Sequence, residues 1–117
     1  MVIKEVSKTI NYKGKDYKIV FNLNVMEEIQ AEYTTINRWG ELTDGKSGEV
    51  DVKALKFGFT AMLNEGIDID NEDNGTNTPF LTPKQVGRML SDLGLNEVTD
   101  NVNEVVIESV KSDEKNG

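Results

Sequence analysis

Histidine and cysteine, the side chains that most often serve as general base, zinc ligand or thiolate nucleophile, do not occur in this chain of 117 residues. Five serines are present, but no local pattern would activate their hydroxyls, and no glycine-rich phosphate-binding pattern occurs. Acidic side chains are abundant, with 21 Asp and Glu, yet on a chain of net charge −8 close carboxylate pairs are typical of a solvated surface. The residue types therefore predict no catalytic centre, no cofactor and no metal.

One short segment carries oxygen ligands at the spacing of a calcium-binding loop. Residues 70–75, DNEDNG, place oxygens at positions one, three and five and glycine at six, as in an EF-hand. The twelfth position, where the EF-hand needs a bidentate glutamate, would be Leu81. We therefore interpret residues 66–80 as a flexible, poorly ordered acidic loop, and keep a calcium-responsive binding module as an alternative.

Charge is distributed unevenly along the chain. Residues 1–23 carry five lysines against two acidic residues, a net charge of +3, and the remaining residues carry −11. An acidic surface repels phosphate backbones, so no nucleic-acid partner is expected. No apolar run approaches the length of a membrane span and no signal-peptide leader is evident, so we expect an intracellular protein without a membrane partner.

Two strands are predicted near the N-terminus because apolar residues there alternate with polar ones. Residues 13–16, KGKD, would form the turn, with a glycine available for a positive φ angle. Pairing Tyr12 with Tyr17 would place Ile10 opposite Ile19 and gather the apolar side chains on one face. A lone two-stranded hairpin is marginal in water, so this face is expected to cover helices.

Helices are predicted after the hairpin from apolar residues at helical spacing and from capping residues. The first would run from an Asn24 cap, in a capping box with Glu27, to Arg38 or Trp39, and Gly40 would stop it. The second would run from an Asp51 cap to Asn64 or Glu65 and would end at Gly66, with a loop at 42–50 between the two.

Two further helices complete the predicted fold. The third would begin with a capping box at Thr82, Pro83 and Gln85 and end at Gly94, and the fourth would run from an Asn96 cap to Val110. The fold class is therefore α+β, an N-terminal hairpin packed on a bundle of about four helices. We predict a single domain over residues 1–110 and a disordered polar tail at 111–117.

Three segments, in this order, resemble one protein family. Residues 21–28, FNLNVMEE, join the second strand to the first helix. Residues 55–66, LKFGFTAMLNEG, lie in the second helix, and residues 81–87, LTPKQVG, begin the third. Over residues 10–95 the combination resembles the tail assembly chaperones of long-tailed bacteriophages and prophages.

The resemblance implies a non-catalytic protein of the host cytoplasm that binds the tape measure protein, a long helical chain with apolar stretches. The chaperone would keep that chain soluble until tail tube subunits polymerise around it. The tail tube protein and further copies of the chaperone are the other partners that it implies. An alternative from another class is a structural phage protein, a head–tail connector or tail-terminator subunit that assembles into a ring.

The second predicted helix is apolar on two sides, and one side is a candidate partner surface. At 100° per residue, Ala54, Phe57 and Ala61 fall opposite its main apolar face. Such a helix is either sandwiched in the core or lends one side to a partner, and both alternatives are open for Phe57. Trp39, at the end of the first predicted helix, is the fourth candidate, with burial in the core as its alternative.

Overall fold

An antiparallel hairpin is followed by five helices in the part of the chain that the structure describes. This computed structural model describes the backbone of residues 5–46 and 48–115 and the side chains of residues 5–46 and 48–110. The elements are β1 (Val6–Tyr12), β2 (Lys15–Phe21), α1 (Leu23–Tyr33), α2 (Ile36–Thr43), α3 (Val52–Asn74), α4 (Pro83–Leu93) and α5 (Leu95–Lys115). The predicted class, α+β with a hairpin packed on helices, is confirmed.

The hairpin closes through a tighter turn than the one predicted. Lys13 and Gly14 both have positive φ angles, 52° and 78°, which is the geometry of a two-residue turn matched to the twist of the strands. The observed Cα partners include Val6↔Phe21, Lys8↔Ile19, Ile10↔Tyr17 and Tyr12↔Lys15. The predicted pairing of Tyr12 with Tyr17 is therefore wrong by two residues. A register shift of two residues keeps every side chain on its predicted face, so the apolar side chains still share one face of the hairpin.

The first helix begins at a different cap from the one predicted. Asn22, not Asn24, is the N-cap, and its side-chain oxygen accepts a hydrogen bond from the backbone N–H of Val25 at 3.2 Å. The capping box predicted between Asn24 and Glu27 is not formed. Asn22 directly follows β2, so the helix starts as soon as the strand ends.

A sharp turn divides the first predicted helix into α1 and α2. Thr34 has φ 75° and ψ −50°, and the N–H of Thr35 donates to the carbonyl of Tyr33 at 2.9 Å, which is a three-residue γ-turn. The Thr35 hydroxyl then accepts from the N–H of Arg38 at 2.9 Å and caps α2. The predicted stop at Gly40 is wrong, because this residue lies inside α2.

The third helix is longer than predicted, because Gly66 does not end it. It continues to Asn74 and ends at Gly75, which has φ 64°. Gly66 is buried against β2, and a Cβ atom there would lie 2.5 Å from the backbone carbonyl oxygen of Lys18. The glycine therefore allows α3 to cross close to the strand, and helix cover of this kind protects a sheet edge.

Residues 66–80, predicted to be poorly ordered, are helical as far as Asn74 and then held by side-chain amides of α3. Asn64 donates to the carbonyl of Leu81 at 3.0 Å and accepts from its N–H at 2.8 Å. Asn71 makes a similar pair of contacts with the backbone of Thr78, at 3.0 and 2.9 Å. The predicted loop is therefore wrong over residues 66–74, whereas residues 75–80 do lie in a loop. Residues 70–74 are helical, so their oxygens are not arranged as in an EF-hand loop.

The last two helices agree best with the sequence. Thr82 and Gln85 form the predicted capping box, with Pro83 in the first turn of α4. The helix predicted over 96–110 is confirmed as part of α5, which begins at Leu95, one residue before the predicted cap. That helix continues past the boundary predicted at residue 110, and residues 116–117 and the side chains of 111–117 lie outside the described residues. The predicted disorder of the tail stays a prediction.

Candidate functional site

Two of the four predicted partner residues lie in the core. Ala54 is fully buried and Trp39 is 1% exposed. The indole N–H of Trp39 donates to the carbonyl of Ala54 at 2.8 Å, and its ring lies over Gly58 of α3. The assignment of Ala54 to a partner surface is therefore wrong, whereas Trp39 is buried but also lines the groove described below. Burial of the indole ring fastens α2 to the first turns of α3.

The other two predicted partner residues are only partly accessible. Phe57 and Ala61 are half-buried and pack against the edge of the core. The Phe57 ring meets the Tyr33 ring edge to face, with centroids 5.7 Å apart. Burial, followed by the charges of Asp51 and Glu32, raises the pKa of the Tyr33 hydroxyl. A partner contact by Phe57 and Ala61 stays a prediction, because part of each side chain faces solvent.

A more accessible apolar surface lies elsewhere, in a groove between α2 and α5. This α2–α5 groove has a volume of about 890 Å³. Ile107 of α5 lies on its wall and is 60% exposed, although it is a large apolar side chain. The residues that line the groove are Ile36, Asn37, Trp39, Gly40, Glu41, Asp44, Lys46, Asp100, Asn103, Val106, Ile107 and Val110.

Core packing of α5 determines which of its side chains reach the groove. Val98, Val102 and Val105 are buried, so the helix presents this row to the hairpin and the other helices. The Lys8 ammonium group of β1 contacts the Glu104 carboxylate at 2.6 Å and adds an exposed ion pair to that packing. The adjacent row, Asn103, Val106, Ile107 and Val110, then faces α2.

The side of the groove formed by α2 carries no side chain at its centre, where Gly40 lies. Trp39 and Thr43 anchor this helix to the core, and the Thr43 hydroxyl also donates to the carbonyl of Trp39 at 3.0 Å. Ile36 and Gly40, one turn apart, face the groove. Beyond the local backbone of α2, a Cβ atom built on Gly40 would meet no described atom within 4 Å, so this position leaves space in the groove.

The rim of the groove is predominantly acidic. Of the described residues that line it, Glu41, Asp44 and Asp100 are acidic and Lys46 is basic. The middle of the groove is apolar, from Ile36 on α2 and from the valines and isoleucine of α5. An apolar strip with anionic margins suits an amphipathic segment whose flanks carry positive charge.

The α2–α5 groove was missed at the level of sequence, although one signal for it was present. Residues 105–107 are three consecutive apolar residues in a helix, and a helix cannot point all three into one core. Val105 is buried, Val106 is half-buried and Ile107 is exposed. Such a run in a predicted helix indicates that at least one apolar side chain lies outside the core.

The joint that carries the family resemblance is organised by Glu65 of α3. One oxygen of its carboxylate accepts hydrogen bonds from the side-chain amides of Asn22 and Asn24, at 2.7 and 3.0 Å. Burial, followed by the charges of Glu65 and Glu27, raises the pKa of Glu28. The start of α1 is therefore tied to the middle of α3.

Comparisons with protein-family models, with curated proteins and with solved structures each gave no match to this chain. Within residues 5–46 and 48–115, no helix is long and apolar enough to cross a membrane. The same residues contain no cluster of three or more Asp, Glu, His or Cys that could hold a metal ion.

Proposed function

We propose that this protein is a non-catalytic tail assembly chaperone of a long-tailed bacteriophage, acting in the host cytoplasm. It binds the tape measure protein and keeps it soluble while the tail tube assembles. The proposal starts from the resemblance of segments 21–28, 55–66 and 81–87 to that family. The tail tube protein and further copies of the chain are the other proposed partners.

The observation that carries the proposal is an open apolar groove on a strongly acidic protein. Ile107 is 60% exposed within the α2–α5 groove, on a chain of net charge −8. An exposed isoleucine on the wall of a groove gives an apolar partner a place to bury its own side chains. Bound to an apolar helical segment, the groove would hide that segment from water while the negative charge keeps the complex dispersed.

The three resembling segments also meet in space, which supports the proposal. Asn64 bonds the backbone of Leu81, and the neighbouring Glu65 bonds Asn22 and Asn24. Two adjacent residues of the second segment therefore contact both of the others. Residues that resemble a family in order along the chain here form one connected set of contacts.

Co-expression with the tape measure protein encoded in the same genome tests the proposal. The soluble fraction of the tape measure protein should rise several-fold when this chain is present, because its apolar stretches are covered. An empty vector and an unrelated acidic protein of similar size are the controls. A tape measure protein that stays insoluble in all three cultures contradicts the proposal. A large discrete ring in light scattering would favour the connector or terminator alternative.

A further inference from the structure

We propose that the α2–α5 groove receives one amphipathic helix with basic flanks. The inference deepens the proposed function and rests on it for the source of that helix, a segment of the tape measure protein. The surface itself can be tested without that protein. Three features of the groove favour this occupant: the arrangement of its walls, its glycine and its charge.

The walls of the groove have the form that a third helix requires. On α5, Asn103, Val106 and Val110 follow one another at spacings of three and four residues, and Ile107 lies beside them. On α2, the groove is lined by Ile36, Asn37, Gly40 and Glu41, again at helical spacing, and Asp44 follows at the end of the helix. Two helices that present such rows to a shared groove can accept a third helix by interdigitation of side chains.

Gly40 gives the second argument, because no contact among the described residues requires a glycine there. Gly58 and Gly66 are required by close contacts with Trp39 and with the Lys18 carbonyl. At Gly40, no described atom beyond the local backbone of α2 lies within 4 Å of a Cβ position. A glycine inside a helix costs about 1 kcal/mol relative to alanine. A glycine at the centre of the α2 wall lets the backbone of a bound helix approach closely, as small residues do at helix–helix contacts.

The charge of the rim favours a basic helix over a second copy of this chain as the occupant. Among the described residues of the rim, the carboxylates of Asp44 and Asp100 outnumber the one base, Lys46. A second copy of this chain, docked through the same groove, would bring these carboxylates face to face on two proteins of net charge −8. A helix with an apolar stripe and lysines on either side would fill the apolar middle and pair with the rim.

A designed peptide of about 18 residues provides the probe, with leucines on one helical face and lysines on both flanks. It contains no tryptophan, so Trp39, the one tryptophan of the protein, reports binding from the floor of the groove. Fluorescence titration should show saturable binding that weakens as salt is added. The same peptide with glutamate in place of lysine should bind at least about tenfold more weakly. Absence of saturable binding by the basic peptide would overturn the proposal.

Two variants block the groove in different ways. Gly40→Leu fills the open space and removes a helical glycine, so it should weaken peptide binding about tenfold or more without loss of thermal stability. Ile107→Glu places a charge on the apolar wall and should weaken binding to a similar extent. The matched control is Leu23→Glu on α1, because Leu23 is 61% exposed but lies outside the groove. Leu23→Glu should bind the peptide as the unmodified protein does.

The outcomes distinguish a failure of the groove assignment from a failure of the proposed function. Unchanged peptide binding by both Gly40→Leu and Ile107→Glu would overturn the groove assignment. A dimer of the unmodified protein that Gly40→Leu converts to monomers would also overturn it, with a second copy as the occupant. If both variants keep the tape measure protein soluble as well as the unmodified chain does, the groove fails and the proposed function stands. If the groove binds the basic peptide while the tape measure protein stays insoluble, the proposed function fails and the groove stands.

Discussion

At the scale of single residues, the contact between Trp39 and Gly58 decides how α2 is held. The indole ring occupies the space that a side chain at position 58 would need, and its N–H group bonds the Ala54 carbonyl. A buried tryptophan usually finds a partner for its N–H in this way. Gly58 on α3 and Trp39 on α2 therefore act together, because the absence of a side chain on the glycine makes room for the indole ring.

We predict that Gly58→Ala destabilises the protein although alanine favours helices. The new Cβ would lie 2.3 Å from Cζ2 of Trp39, so the ring must move, at a cost of about 1–3 kcal/mol in the free energy of unfolding. Gly87→Ala on α4 is the control, because its Cβ would meet only the flexible Lys56 side chain, at 3.6 Å. That variant should gain up to about 1 kcal/mol. Urea unfolding measures both, and equal gains would contradict the prediction.

A second residue-scale prediction concerns pH. Burial, followed by the charges of Glu65 and Glu27, raises the pKa of Glu28 above its ordinary value of 4.5. A raised pKa favours the folded state when the group is protonated, and that contribution is lost as the pH rises through the folded-state pKa. Glu28→Gln should therefore stabilise the protein at neutral pH by a few tenths of a kcal/mol, since the site is largely exposed.

The gain from Glu28→Gln should disappear below about pH 4, where the carboxyl group is protonated in the unmodified protein as well. Thermal unfolding of both proteins across this pH range measures the difference. Glu32→Gln, one turn further along α1, is the control for loss of a charge. A gain from Glu28→Gln that stays constant with pH would rule out the proposed cause.

At the scale of the elements, short connections with specific side chains orient the helices. Thr34 bends the chain between α1 and α2 in a γ-turn, and Thr35 starts the second of these helices. A threonine at φ 75° is unusual, because its branched side chain crowds the backbone in this region. The turn determines where α2 lies, and hence the position of one wall of the groove.

Thr34→Gly should raise the free energy of unfolding by about 1 kcal/mol. Glycine adopts positive φ without steric cost, and relief of the strain exceeds the extra entropy of the unfolded chain. Thr35→Ala is the opposite case: the hydroxyl that caps α2 is lost, and stability should fall by about 1 kcal/mol. Chemical denaturation of the two variants should show changes of opposite sign. A loss of stability in Thr34→Gly would refute the strain argument.

Two side-chain amides of α3 hold the connection to α4, and Asn64 holds the end nearer to α4. Asn64 satisfies both the N–H and the carbonyl of Leu81. Asn64→Ala leaves these partly buried groups without their partner and should cost about 1–3 kcal/mol in the free energy of unfolding. Asn77→Ala, at an exposed position of the same connection, should change stability by less than about 0.5 kcal/mol. Similar effects of the two substitutions, measured by calorimetry, would be inconsistent with this role.

At the scale of the whole molecule, the lysine-bearing hairpin packs on an acidic helical body. Lys8 pairs with Glu104 at 2.6 Å and Lys18 with Asp70 at 3.2 Å. Both pairs are partly exposed, and such pairs contribute little to stability. Repulsion among the excess acidic groups is the larger electrostatic effect, because a net charge of −8 is held close together in the compact state.

We therefore predict that salt stabilises this protein. Raising sodium chloride from about 20 mM to about 500 mM screens the self-repulsion more than it weakens the ion pairs of Lys8, Lys13 and Lys18, and the unfolding midpoint should rise by a few degrees. Differential scanning calorimetry at constant pH measures the shift. A midpoint that falls with salt would mean that the hairpin lysines contribute more than the net charge does.

The sequence by itself determined the features that depend on neighbours within a turn or two. The alternation of apolar residues placed the hairpin faces, and the hydroxyl of Thr82, the ring of Pro83 and the amide of Gln85 determined where α4 begins. The tail chaperone resemblance also came from the sequence, and it stays a proposal.

Only the tertiary structure decided the features in which a residue meets a distant element. Glycine is typical of a helix end, but Gly66 lies against the Lys18 carbonyl and is needed there for close packing of α3 on β2. Trp39 and Ala54 are buried because α2 folds back onto α3, and Ile107 is exposed because Val105 already occupies the core side of α5. Local patterns determine which face of a helix is apolar, but which apolar face remains uncovered depends on how all the elements pack together.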